Sequence, residues 1–225
     1  MNRRQFLCGL TGTAGMLAGC TGRDESQVNL GPDTKLAIEE TQIIADTKKF
    51  MSTVDYPQES GDGLPQVEFD AELFQPPDSP PEIEFRLTNT GPQRLFYVGQ
   101  FYPFSRLGSR SHELLLLPEL NPDRRYQAYG AVDPDGPQSR DGLIPDSNPE
   151  DCWRANGEPI KLLTGIVPQL DTGETIANRS AILVGPNAPC PPAETQILSN
   201  IFSIGGAREN VTELVVKLRV TQTLL

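Results

Sequence analysis

Glu82-Ile83-Glu84-Phe85-Arg86-Leu87-Thr88-Asn89, preceded by Val67-Glu68-Phe69-Asp70-Ala71-Glu72-Leu73, decides the fold class of this chain. Apolar residues fall on alternate positions in both stretches. Val67, Phe69, Ala71 and Leu73 alternate with Glu68, Asp70 and Glu72, and Ile83, Phe85 and Leu87 with Glu82, Glu84 and Arg86. A period of two puts the apolar set on one face of an extended strand and the charged set on the other, so both read as half-buried β-strands. Between them, Pro76-Pro77-Asp78-Ser79-Pro80-Pro81 cannot donate ladder hydrogen bonds from its prolines and is expected as a surface connection. Asn89-Thr90-Gly91-Pro92 follows as a turn, and residues 95–101 return as a third strand, giving a hairpin.

Working outward, residues 113–117 form a short apolar run, 125–132 a weaker aromatic strand, and 180–185 and 213–222 further strands. The last has Leu214, Val216, Leu218 and Val220 on one face and Lys217, Arg219 and Thr221 on the other. Val215 interrupts the polar face, which suggests cover on both sides. Residues 34–51 fit either a loose helical stripe of Leu36, Ile43, Ile44, Phe50 and Met51 or two short strands, with strands preferred. Residues 133–151 make a long loop rich in Pro, Gly and Asp, and residues 21–32 a polar tether with no fixed structure expected. Many short strands and no strong amphipathic helix predict an all-β fold, an antiparallel immunoglobulin-like β-sandwich forming one domain over residues 33–225.

The chain has 225 residues, with 19 Lys and Arg against 30 Asp and Glu and a formal net charge of −11. With no basic run it lacks the phosphate-binding footprint that nucleic acid requires. Its lysines are only Lys35, Lys48, Lys49, Lys161 and Lys217, so the surface is carboxylate-rich and lysine-poor. Such a surface fits either an ordinary acidic soluble protein or, the preferred reading, adaptation to molar salt, where screening over about 3 Å suppresses self-repulsion.

The first twenty residues carry the most specific signal. Arg3 and Arg4 form a basic start, residues 6–18 a short, weakly apolar stretch, and Leu17-Ala18-Gly19-Cys20 a small-residue processing site. The stretch is too short to span a bilayer. Arg3-Arg4-Gln5-Phe6-Leu7 resembles a twin-arginine export signal, and residues 17–20 resemble a lipobox, in which lipid is attached to the Cys thiol before cleavage ahead of it. This resemblance implies a signal peptide at 1–19, a lipidated Cys20 opening the 20–32 linker, and attachment to the extracellular face of the cell membrane. Removing the signal deletes Arg3 and Arg4 and no acid, so the mature chain is more acidic still. Cys8 leaves with the signal, so Cys152 and Cys190 are the cysteines left to the folded domain. In an oxidising compartment a disulfide is expected, with two free buried thiols as the alternative.

Little else points to chemistry. The sole imidazole, His112, lies between Ser111 and Glu113 at the edge of an apolar run and reads as an exposed strand-edge residue. No C-x-x-C spacing exists, and no metal site or cofactor is expected. Asp133-Pro134-Asp135-Gly136 resembles the start of a calcium loop, but Ile144 stands where the closing Glu is required. Asn178-Arg179-Ser180 and Asn210-Val211-Thr212 fit the glycosylation sequon, each ahead of an expected strand where a surface turn would expose it. Phe96, Tyr97, Phe101, Tyr102 and Phe104 fit core packing better than a carbohydrate or protein contact.

Residues 83–91 resemble the strand-and-turn signature of immunoglobulin-like modules on prokaryotic surfaces. With the lipobox, Pro103-Phe104-Ser105, residues 115–118, Cys152-Trp153-Arg154, Leu170-Asp171-Thr172-Gly173-Glu174 and Cys190-Pro191-Pro192, the whole chain resembles uncharacterised haloarchaeal surface lipoproteins. The resemblance carries no activity with it. Trp153 adjoins Cys152 instead of lying between and far from both cysteines, so the disulfide is expected to staple a loop to a strand. The function expected is that of a non-enzymatic, lipid-anchored surface protein whose sandwich binds a surface protein or small ligand. A small solute-binding or transporter-accessory lipoprotein is the first alternative, and a secreted carboxylate-dependent hydrolase the second.

Overall fold

A computed structural model describes residues 27–45, 66–99, 108–119, 140–146, 151–159, 165–166, 168–204 and 211–222. The strands are β1 (Val28–Gly31), β2 (Thr34–Ala45), β3 (Val67–Phe74), β4 (Glu82–Asn89), β5 (Arg94–Gly99), β6 (Leu114–Pro118), β7 (Gly165–Ile166), β8 (Gln169–Leu170), β9 (Thr175–Val184), β10 (Thr195–Ile204) and β11 (Val211–Gln222), with one short helix, α1 (Arg140–Leu143). They form two antiparallel sheets: a seven-stranded sheet in the order β1-β2-β11-β10-β5-β7, with β8 also on β5, and a four-stranded sheet in the order β3-β4-β9-β6. Leu36, Leu198, Phe202, Leu214, Val216 and Leu218 from the first meet Leu73, Ile83, Phe85, Leu87, Ile182 and Val184 from the second in one core. This is the all-β sandwich the alternating pattern predicts. Full burial of such side chains stabilises by about 1.5–3 kcal/mol each.

The decisive stretch behaves as its pattern requires on one side and not on the other. β3 and β4 pair over their whole length, Val67 beside Asn89 and Phe74 beside Glu82; of the connection expected at the surface, Gln75, Pro77 and Asp78 are exposed, whereas Pro80 and Pro81 are buried and the Pro81 carbonyl accepts the Ile182 amide. The expected hairpin of β4 with the next strand is not formed, because β5 belongs to the opposite sheet. Asn89 makes the corner. Its buried amide Nδ2 donates to the carbonyls of Pro92 (2.9 Å) and Leu170 (3.0 Å), and its Oδ1 accepts from the Gly91 amide (3.2 Å) and Arg94 Nε (3.0 Å). The side chain satisfies the backbone groups that a sheet-to-sheet crossing leaves without ladder partners.

The tether expected over residues 21–32 ends earlier than its polar composition implies, since residues 28–31 form β1. Val28 and Leu30 are buried, and Val28 lies beside Leu36 and Gly31 beside Thr34. Residues 34–45 form one strand instead of two short ones. Between Lys217 paired with Glu40 and Leu218 paired with Ile38, Glu39 is an extra residue, a β-bulge. It shifts the inward parity from Leu36 and Ile38 to Thr41 and Ile43.

The run 114–117 serves two cores. Leu114 and Leu116 enter the main one, while Leu117, with Leu115 packed alongside, faces outward into a second cluster with Leu183, Ala181, Trp153 and Leu143 of α1. β11 alternates cleanly, with Leu214, Val216, Leu218 and Val220 buried and Val215 half-buried on the outer face. The expected strand at 125–132 lies outside the described residues.

Candidate binding groove

The turns cluster at two ends. One end carries the turn from Gly31 to Thr34 and residues 75–81, which Gln75 ties to β1 by accepting from the Asn29 amide at 2.6 Å. Residues 185–194, between β9 and β10, lie at this same end. The other end carries Ala45, Val211, Ile204 and the Asn89 corner.

At the first end residues 108–113 close one side of the sandwich. Ser109 donates its amide to the Leu114 carbonyl (3.0 Å) and Arg110 to the Ile197 carbonyl (2.8 Å), so one short segment joins the edge of the four-stranded sheet to β10. The reversal that follows holds His112 at φ 63°, an uncommon conformation for a side chain other than Gly. Residues 151–155 cross at the same end. The Trp153 amide donates to Leu30 O (2.8 Å), and the Val184 amide to Trp153 O (2.7 Å), which links β1 to β9. Gly31 permits this approach, because a Cβ there would occupy the position of the Asp151 carbonyl oxygen.

Two devices fix residues 185–190 against that crossing. The Arg154 guanidinium donates to the carbonyls of Gly185 (3.0 Å) and Ala188 (2.6 Å). Cys152 and Cys190 form a disulfide across 38 residues, with Cα atoms 6.0 Å apart. It staples a loop to the crossing segment and does not pin sheet to sheet. Closing a loop of this length stabilises by roughly 4 kcal/mol in the chain-entropy model.

Between residues 111–115 and 185–189 lies an open groove of about 580 Å³. Ser111, His112, Glu113 and Leu115 line it on one side, Pro186, Asn187, Ala188 and Pro189 on another, with Glu158 and Pro159 completing the lining. Beside it Gln196 is fully buried. Ser111 Oγ donates to Gln196 Oε1 (2.6 Å), and Gln196 Nε2 donates to Glu113 Oε2 (2.6 Å) and to the Ala193 carbonyl (3.1 Å). Glu113 Oε2 also accepts the Ala193 amide at 2.8 Å. The Ser111 proton is therefore directed to an amide oxygen, and Oε2 of Glu113 holds the entry of β10. The exposed groups free to meet a ligand are the His112 imidazole, the Glu158 carboxylate and the Asn187 amide, set among prolines.

Of the residues singled out from sequence, Cys152 and Cys190 are brought together and His112 is exposed on the groove. Arg3, Arg4, Cys20 and Asn210 lie outside the described residues, as do residues 133–135 of the calcium-like motif. Asn178 is not at a turn. It lies within β9 opposite Phe85, half-buried on the inward parity, with Nδ2 donating to Glu119 O at 3.5 Å and Oδ1 buried. Ser180 of the same sequon is also buried, so the exposed acceptor expected there is absent. Phe96 is a core residue stacked on Phe202 with ring centroids 6.2 Å apart. Among the described residues no cluster of three His, Cys, Asp or Glu is placed to hold a metal ion. Gln196 and Arg154, which organise the groove, were not visible beforehand; the one trace of Gln196 is a polar residue inside the apolar phrase Gln196-Ile197-Leu198. Comparison with protein families, curated proteins and solved structures finds no match.

Proposed function

We propose that the chain is a lipid-anchored cell-surface protein that binds its ligand in the groove between residues 111–115 and 185–189, without catalysing a reaction on it. The observation that carries this reading is the stapled groove itself: a wall fixed by the Cys152–Cys190 disulfide and the Arg154 clamp. A disulfide of this kind belongs to an oxidising compartment, which agrees with the export and lipidation signals at Arg3, Arg4 and Cys20. Binding is favoured over hydrolysis because Ser111, the nucleophile candidate on the groove, donates to Gln196 Oε1 and to neither His112 nor Glu113, whose Oε2 is held by Gln196 and the Ala193 amide. A nucleophile requires a base within hydrogen-bond reach, and Ser111 donates elsewhere.

A second reading, a small solute-binding or transporter-accessory lipoprotein, draws on the volume of about 580 Å³, which falls in the range that encloses small ligands. Fractionation of cells expressing the full chain and its Cys20→Ser variant tests the anchored reading. The parent chain is expected in the membrane pellet and the variant in the medium; a variant retained on the membrane would overturn the anchor.

A further inference from the structure

We propose that the Cys152–Cys190 disulfide is a redox latch on one wall of the groove: a dithiol that reduces it frees residues 189–192 and leaves the sandwich folded. Its bearing on a ligand rests on the groove being the binding site. Residues 185–194 are tied down at both ends. Toward β9, the Gly185 amide donates to Glu113 O (2.8 Å), and the Arg154 guanidinium donates to the carbonyls of Gly185 (3.0 Å) and Ala188 (2.6 Å). Toward β10, the Ala193 amide donates to Glu113 Oε2 (2.8 Å), and the Ala193 carbonyl accepts from Gln196 Nε2 (3.1 Å). Between these ties lies Pro189-Cys190-Pro191-Pro192, whose prolines have no N–H to donate. Among the described residues, the disulfide is the one directional link from this stretch to the rest of the chain. Its other contacts are apolar: Cys190 packs partly against the core and Pro192 is buried. Apolar contacts of this kind are non-directional. Pro189 lines the groove, so release of the stretch changes the shape of the wall.

The partner cysteine is held independently of the bond. Cys152 is buried, its amide donates to Asp151 Oδ1 (2.7 Å), and the next amide, that of Trp153, donates to Leu30 O (2.8 Å). Both sheets pair without the disulfide, so breaking it leaves the sandwich and the 151–155 crossing in place. The difference in burial also sets the direction of attack, because Cys190 is only half-buried on its loop. A thiolate of the dithiol attacks Cys190 Sγ, the S–S bond breaks, and its electron pair leaves on Cys152 Sγ, which takes up a proton. The second thiolate of the reagent then attacks the mixed disulfide, closing the reagent's own disulfide and releasing Cys190 Sγ, which is protonated in turn. The two electrons and two protons gained by the cysteines are those the dithiol loses.

The test is backbone nitrogen NMR relaxation on the isotope-labelled, detergent-extracted full chain, before and after dithiothreitol. The Cys190 amide is expected to pass from a rigid order parameter of about 0.85 to below about 0.6, while Ile182 in β9 and Leu198 in β10 stay rigid. A Cys190 amide that remains rigid after reduction would overturn the latch, since the flanking ties and apolar contacts would then suffice. Loss of order at 182 and 198 as well would make the bond a requirement of the fold and overturn the latch too. So would a bond that resists the dithiol in the folded chain. Cys152→Ser combined with Cys190→Ser imposes the broken state without reagent, so incomplete reduction does not pass for rigidity. The readout needs no ligand: a groove that binds nothing would sink the binding role alone and leave the latch to this result.

Discussion

At Asn89 the chain leaves one sheet for the other, and its side-chain amide braces a corner that the Gln66 carbonyl also holds by accepting from the Thr90 and Gly91 amides and from Arg94. Its Nδ2 serves Pro92, Leu170 and Asp171 carbonyls while Oδ1 receives Gly91 and Arg94. Burial without water to replace these partners makes each bond costly to lose. It also holds the Arg94 guanidinium below its ordinary pKa range. Asn89→Ala is expected to lower the unfolding free energy by about 3 kcal/mol, since a truncated side chain strands several buried groups. Denaturant unfolding monitored at Trp153 measures this, and a loss below about 1 kcal/mol would show that the corner is held by something else. The same residue explains an error of sequence reading. Asn89-Thr90-Gly91-Pro92 has the composition of a hairpin turn, but composition does not say whether the next strand pairs or crosses; the long-range bonds from Asn89 to residues 170–171 decide that.

At the scale of the element, β2 and β10 show what limited the reading. Leu36, Ile38 and Ile43 break a period of two because Glu39 is a bulge, so the inward set is 36, 38, 41 and 43. Residues 67–74 and 82–89 have no such interruption and were legible directly. β10 was not recognised as a strand because both its faces mix polar and apolar residues. Gln196 and Asn200 fall on the inward parity with Leu198 and Phe202, and Ile201 faces outward. The polar inward residue at 196 braces Ser111 and Glu113 beside the groove, and the apolar outward residue at 201 is exposed, so both depart from the pattern of a half-buried strand. The disulfide was expected through the resemblance that gives Cys8 to a signal and Cys20 to lipid, with two free thiols as the alternative, whereas the groove was not legible, since residues 111–115, 158–159 and 185–189 converge only through topology. The bulge itself is testable. Deleting Glu39 leaves every other pairing of β2 with β11 in place and removes only an exposed ion pair with Lys217, 2.9 Å from it. The deletion is expected to leave the denaturant midpoint of unfolding essentially unchanged, because an exposed ion pair contributes little. A marked fall in the midpoint would mean that the bulge is required for the fold.

At the scale of the molecule, the two ends of the sandwich differ in chemistry. The groove end is acidic, stapled by a disulfide and crossed by residues 151–155; the other carries exposed isoleucines and the Asn89 corner. The outer face of the four-stranded sheet is a ladder of alternating charge, in which Arg86 pairs with Glu72 and Glu84, and Arg179 with Glu84 and Glu82 while lying over the Phe74 ring. The hydrogen bond to Glu72 leads the effects that raise the Arg86 pKa, so the guanidinium stays charged across any accessible pH. This charged part of the face stays solvated, while Leu117, Ala181 and Leu183 beside it are covered by Trp153 and Leu143. The proposed surface role of the groove depends on the anchor, and intact-mass spectrometry of the membrane-extracted chain tests that most directly. The account predicts a chain that begins at Cys20 and carries the added mass of lipid on that residue. A chain retaining residues 1–19, or one beginning at Cys20 with a free thiol, would contradict it.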